Sequence, residues 1–129
     1  MVDRLLETVS YTGSSTLIGN KFKGDGFYGM SDGLHTFEIS LTGFIGKIKI
    51  QGSLEATPGE NDWFDTDIGN GSQTIDTTGL IQSATKTTIE YTGAETSINA
   101  YNVTGNLVWV RAYIFDWTEG SIQSIKMNR

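Results

Sequence analysis

At 129 residues, the chain is long enough to bury one hydrophobic core and too short for two, so a single domain is expected. Sixteen glycines, one proline and an abundance of Thr, Ile and Val favour strands joined by glycine turns, and the absence of cysteine excludes disulfides and thiolate metal sites. The net charge of -6 is uneven: residues 51–110 carry eight acids against Lys86 alone, which argues against a phosphate-backbone or other nucleic-acid partner.

The N-terminal MVDRLLETVS has no basic stretch leading into a long apolar run, and no apolar run reaches bilayer length. A soluble chain made in the cytoplasm, with no membrane partner, is expected. Leu5, Glu7, Val9 and Tyr11 alternate as a strand does, while Val2, Leu5, Leu6 and Val9 also fit helical spacing. The reading is a strand, or an arm of residues 1–12 that docks on a neighbouring subunit, ahead of one β domain over residues 13–129.

A strand over Thr16–Phe22 follows. Phe37, Ile39 and Leu41 then alternate with Thr36, Glu38 and Ser40, the period of a half-buried strand. After Thr42-Gly43 the period resumes, with Ile48, Ile50 and Leu54 inward, Gly52 in register, and Lys47, Lys49, Gln51 and Ser53 in water. These two segments read as a hairpin. Trp63–Ile68, Thr87–Tyr91 and Ser97–Val103 are further strands. The apolar run Leu107–Phe115 begins after Thr104-Gly105 and leaves through Gly120; it reads as a central strand buried on both faces, followed by one last strand.

Thr-Gly recurs at 12, 42, 78, 92 and 104 with no fixed period, so a tandem repeat is excluded. About eight short strands, punctuated by turns and free of long helices, predict an all-β fold: a β-sandwich of jelly-roll type or a related barrel. Its core is expected to hold Phe37, Ile39, Leu41, Ile48, Ile50, Leu54, Trp63, Ile89, Val108, Val110, Ile114 and Ile125, with Trp109. Arg111 inside the last apolar run is expected near a strand end or paired with a carboxylate across the sheet, for which Asp116, Glu38 and Glu90 are the candidates.

Several motifs invite chemistry and do not sustain it. Gly24, Gly26 and Gly29 spell G-x-G-x-x-G, but that fingerprint binds a dinucleotide only between a strand and a helix start; here Phe27, Tyr28, Met30 and a Ser31-Asp32-Gly33 turn surround it. Asp65, Asp67 and Asp76 fall at positions 1, 3 and 12 of a calcium loop, yet Gly69 and Asn70 hold the positions that require an oxygen ligand and a glycine. A looser cation site on Asp62, Asp65 and Asp67 is the weak metal candidate, against a plain role as solvated loop carboxylates. No cofactor is expected. His35 is the sole histidine, so any triad would rest on it alone, and no pair of acids stands out by spacing; enzyme activity is not expected. Asn70-Gly71-Ser72 and Asn102-Val103-Thr104 match glycosylation acceptors, which carry no meaning without a secretory signal. Trp63 and Trp117 adjoin acidic turns and, with Tyr28, are the candidates for contact with a partner or a glycan.

The segments GDGFYGMSDGLHTFEISLTGFIGKIKIQGSL, NDWFD and TGNLVWVRAYIFDWTEGSIQSIKMN combine a Gly-Asp-Gly loop, an Asp-Gly turn leading into a strand, a tryptophan-containing acidic turn and a Val-Trp-Val-Arg-Ala strand. In that order, over about residues 11–127, they resemble a small β-sandwich domain of virion structural proteins from tailed bacteriophages, particularly those of marine and cyanobacterial hosts. The resemblance implies a non-enzymatic component of the virion: a capsid decoration protein, or a tail or fibre accessory module. It would attach to capsid or tail subunits, as a homo-oligomer or in many copies. No catalytic or metal residue comes with it. The rival reading is a carbohydrate-binding module for a host-surface glycan, which requires at least two of Tyr28, Trp63 and Trp117 to be exposed. A small hydrolase built on His35 or a close pair of acids is the third.

Overall fold

The computed structural model describes residues 2–29, 33–68, 73–75, 81–83 and 87–128. The calcium-loop positions Gly69, Asn70 and Asp76 and the acceptor at Asn70 lie outside the described residues. Ten strands are described: β1 (Val2–Leu6), β2 (Val9–Ser10), β3 (Leu17–Ile18), β4 (Phe22–Lys23), β5 (Leu34–Ser53), β6 (Phe64–Asp65), β7 (Gln73–Ile75), β8 (Ile81–Ser83), β9 (Ile89–Thr104) and β10 (Trp109–Asn128). Among the described residues only two short 3₁₀ turns, Asp25–Tyr28 and Glu60–Asp62, interrupt them, so the fold is all-β. No described helix is long and apolar enough to cross a membrane.

Eight strands form one antiparallel sheet with β10 and β5 at its centre. The short strands β1 to β4 follow one another along the far edge of β10, and β9 and β6 line the far edge of β5. β7 and β8 pair only with each other.

The sheet folds over itself. A straight strand of 20 residues would be roughly 66 Å long. Yet Gly105 N–H donates to the Gly33 carbonyl at 2.9 Å and Val108 N–H to the Ser53 carbonyl at 3.0 Å, which ties both ends of β5 to points three residues apart. Three residues span at most about 11 Å, so β5 doubles back. The ladder shifts register between Leu41 and Phe44 on one side of β5, and between Phe115 and Glu119 in β10. Gly120 has φ 87°, and a Cβ there would run into the Gly43 carbonyl, so the crossing of the two strands requires glycine.

This corrects the expected hairpin at Thr42-Gly43 and the expected break at Gly120. Both are bends within continuous strands, because the neighbouring strand keeps pairing on either side of them. Thr92-Gly93 is likewise internal to β9. The core is therefore enclosed by one folded sheet of long strands, instead of the two sheets of short strands that a jelly roll would supply.

Inside lie Phe37, Ile39, Leu41 and Phe44 from the first half of β5, Ile48 and Ile50 from its second half, and Val110, Ala112, Ile114, Ile122, Ile125 and Met127 from β10. Burying each large side chain stabilises by about 1.5–3 kcal/mol. Leu54, expected there, is 64% exposed because β5 ends one residue earlier. Leu107 takes the place instead: its side chain covers Gly52, where any Cβ would collide with it. Val108, Ile89, Trp63 and Trp109 are only half-buried, and Gln51 and Ser53, expected in water, are buried.

The N-terminal residues lie on this chain's own β10. Val2 pairs with Asn128 and Leu6 with Ile125, and Leu5 is 3% exposed. Tyr11 N–H to Gly120 O, Trp117 N–H to Ser15 O and Gly19 N–H to Ala112 O carry the pairing around the bend.

Candidate functional site

Strand alternation sends Trp109, Arg111, Tyr113 and Phe115 outward while Val110, Ala112 and Ile114 face the core. The register sets Trp109 opposite Ser53, Arg111 opposite Gln51, Tyr113 opposite Lys49 and Phe115 opposite Lys47. On the other side, Lys23 of β4 stands beside Trp109 and Ile18 of β3 beside Tyr113. One outer face therefore interleaves rings and cations.

Five of the chain's nine lysines and arginines cover a ring on this face. Lys21 lies 4.5 Å from the centroid of Trp109, Lys23 4.4 Å from Phe27, Lys49 4.7 Å from Tyr113, Lys47 5.7 Å from Phe115 and Arg111 4.2 Å from Trp63. The charged ends themselves lie over the rings, contacts worth about 0.5–1 kcal/mol each where they are exposed. A chain that is acidic overall thus carries a locally cationic, aromatic surface.

Arg111 is buried, and its partner is not one of the expected carboxylates. Its Nε donates to Gln51 Oε1 at 2.8 Å, and Gln51 Nε2 donates to Asp65 Oδ1 at 3.1 Å. Asp116 instead accepts from Lys47 at 3.0 Å, and Glu38 faces Lys126 at 3.8 Å. The hydrogen bond and the charge of Asp116 raise the Lys47 ammonium above its ordinary pKa. The stacked Arg111–Trp63 contact is worth up to about 2 kcal/mol where it is desolvated.

Tyr28 is 48% exposed and meets Phe27 edge-on at 5.4 Å; Phe27 in turn meets Trp109 at 5.3 Å. Trp63 reaches the same face through Arg111 and, with Asp62, Leu54 and Glu55, lines a depression of about 280 Å³. Trp117 does not belong with them. It is 3% exposed at the bend, packed on Phe44 with centroids 5.8 Å apart, so it is a core residue and not a contact for a partner.

Asp65, Asp62 and His35 each make contacts within the fold. Asp65 receives Lys49 and Gln51, and Asp62 Oδ2 accepts the Gly59 N–H at 2.7 Å. No cluster of three His, Asp or Glu that could hold a metal occurs among the described residues. His35 is buried; its Nδ1 faces the Gly33 carbonyl at 3.2 Å and its Nε2 accepts the Asp25 N–H at 3.2 Å. With Nε2 accepting, Nδ1 is the ring nitrogen that can donate, and it faces the Gly33 carbonyl. The amides of Gly24 and Gly26 donate to Val108 O and Leu107 O, so they hold the turn against the chain instead of facing a phosphate.

Phe27, Tyr113, Phe115 and the four lysines escaped the sequence reading as site residues. Their period of two was visible, but only the register joins Tyr113 to Lys49 across two strands.

No family model matches the chain, and no curated protein matches it. Among solved structures the chain is similar to the SPBc2 prophage-derived protein YomS, at 15% identity over 98% of this chain and 92% of that one, with a TM-score of 0.48.

Proposed function

We propose that the chain is a non-enzymatic structural component of a tailed-bacteriophage virion, a capsid decoration protein or a tail or fibre accessory module. It attaches to capsid or tail subunits through the outer face of β5 and β10. The observation that carries this reading is the row Trp109, Arg111, Tyr113 and Phe115 on an otherwise acidic chain, capped by Lys21, Lys47 and Lys49. Tryptophan, tyrosine and arginine are the residues in which the energetic centres of protein interfaces are enriched. The Val-Trp-Val-Arg-Ala segment on which the resemblance to phage virion domains rests supplies two of these side chains. Attachment by the arm is the weaker route, since its pairing groups are engaged on β10.

The test is particle occupancy. Phage particles assembled with the Trp109→Ala/Tyr113→Ala variant are expected to retain at least about tenfold less of the protein, equivalent to about 1.4 kcal/mol of binding. Glu38→Ala, opposite Lys126 in the other half of the folded sheet, should leave occupancy unchanged. Full occupancy of the double variant would remove the face from the account.

Glycan binding is the second reading, favoured by the exposed Phe27–Tyr28 pair beside Trp109 and by the depression at Trp63. With Trp117 buried, it rests on Tyr28 and Trp63. A glycan-array signal that disappears with Tyr28→Ala and Trp63→Ala would establish it, and a blank array would end it.

A further inference from the structure

We propose that the outer edge of β9 pairs with the same edge of a second copy, antiparallel about a two-fold axis at Ile98, joining two folded sheets into one. The inference stands on β9 alone and goes beyond the attachment face, so the two can fail separately.

The direction of the backbone groups can be worked out from the ladder. Gly105 N–H donates to Gly33 O, which makes Gly105–Gly33 a hydrogen-bonded pair. By alternation Val103–His35, Tyr101–Phe37 and Asn99–Ile39 are hydrogen-bonded as well. The residues between them, Ile98, Ala100, Asn102 and Thr104, therefore aim their N–H and C=O groups away from β5. Among the described residues β9 has no other strand neighbour.

An open edge of this length accepts another strand, and proteins usually blunt such edges with lysine, proline or a covering element. Residues 89–104 contain neither lysine nor proline. At the centre of the free edge stands Ile98, 68% exposed, the most exposed of the large apolar side chains described.

The pattern of charge selects a second copy as the occupant. The only charged side chains of β9 are Glu90 and Glu95. With Ile98 opposite Ile98 of the second copy, Thr96 meets Ala100 and Glu95 meets Tyr101, while Glu90 lies beyond the paired stretch. No carboxylate faces another, and like charges directly opposite are what such a pairing must avoid. The two isoleucines cover each other, and Thr96, Ala100 and Asn102 flank them on the same face.

The cysteine-free chain allows a direct test, since Ile98→Cys places a single thiol in each copy. Residues in a hydrogen-bonded antiparallel pair have Cα atoms about 5.5 Å apart, inside the range a disulfide spans. Under mild oxidation most of the Ile98→Cys chains should cross-link, whereas Leu54→Cys, equally exposed but elsewhere, should do so slowly. The parent protein should sediment at twice its 14.1 kDa, and Ile98→Lys, which sets two ammonium groups face to face, should sediment as a monomer. Three results would each overturn the proposal: a monomeric parent, cross-linking at Ile98 no faster than at Leu54, or an Ile98→Lys protein that remains a dimer. Loss of the dimer with particle occupancy unaltered would leave the attachment face standing.

Discussion

Gly120 and Gly13 share a positive φ, 87° and 101°, but not a setting: a Cβ on Gly13 meets nothing within 4 Å, while one on Gly120 strikes the Gly43 backbone at the crossing of β5 and β10. Conformational cost alone should make Gly13→Ala lose about 1 kcal/mol in urea unfolding. Gly120→Ala should lose about 3 kcal/mol or more, because backbone must move as well. Equal losses would mean that the crossing yields easily and that the bend is held by something other than close approach. Arg111 shows how a residue can be anticipated and its partner missed. An arginine in an apolar run requires an acceptor, and the acceptor here is the neutral Gln51, which passes the interaction on to Asp65. Asp116, Glu38 and Glu90 lie nearby in sequence or pattern, but the lysines Lys47 and Lys126 claim the first two. Trp63 and Trp117 looked alike beside acidic turns. Their burial differs because the bend closes around Trp117, a feature with no signature in the neighbouring residues.

At the scale of elements, β9 is bent as sharply as β5, and one pair of side chains reports it. Tyr91 and Tyr101 are ten residues apart on one strand, roughly 33 Å if straight, yet their hydroxyl oxygens are 3.3 Å apart. Burial first, and the Tyr101 hydroxyl second, push the Tyr91 phenol well above its ordinary pKa of about 10. In the unfolded chain that phenol ionises near pH 10; in the folded chain it stays neutral. The folded state holds its full advantage below that pH and loses it as the pH climbs further. Tyr91→Phe should therefore flatten the fall of Tm above pH 10 relative to the parent, and parallel curves would show that the phenol is not shielded. The same bends explain what the sequence could and could not disclose. Strand identity was legible in the stretches that became β5, β9 and β10, because alternation survives bending, while the three-residue strands β7 and β8 are too short to show a period. Strand length was not, since Thr-Gly at 42 and 92 and Gly120 carry the local chemistry of turns. Whether the chain reverses there or merely folds depends on a partner strand distant in sequence. The outer face was half legible for the same reason: Lys47 and Lys49 were placed in water and the tryptophans weighed singly, while the register that stacks them was not available.

For the molecule as a whole, the decisive fact is that β5, β9 and β10 each run through both halves of the folded sheet, and one core cluster joins Phe37, Leu41 and Ile125 to Ile48, Ile50 and Ile114. A two-sheet sandwich can loosen one sheet at a time. Here neither half has a strand set of its own, so separate unfolding would have to break three long strands in the middle. Unfolding should be a single two-state transition. Trp63 and Trp109 report the half that contains Ile48 and Ile50, while Ile125 lies in the other half, opposite Ile39. Ile125→Ala should destabilise by about 2–4 kcal/mol. It should shift the midpoint seen by tryptophan fluorescence as far as the midpoint seen by far-ultraviolet circular dichroism. A fluorescence transition that stayed in place while the dichroism moved would show two independent halves. A sheet rigid across its bend would instead hold the ring-and-cation face and the β9 edge in one fixed relation, so that the proposed attachment and the proposed pairing could operate together.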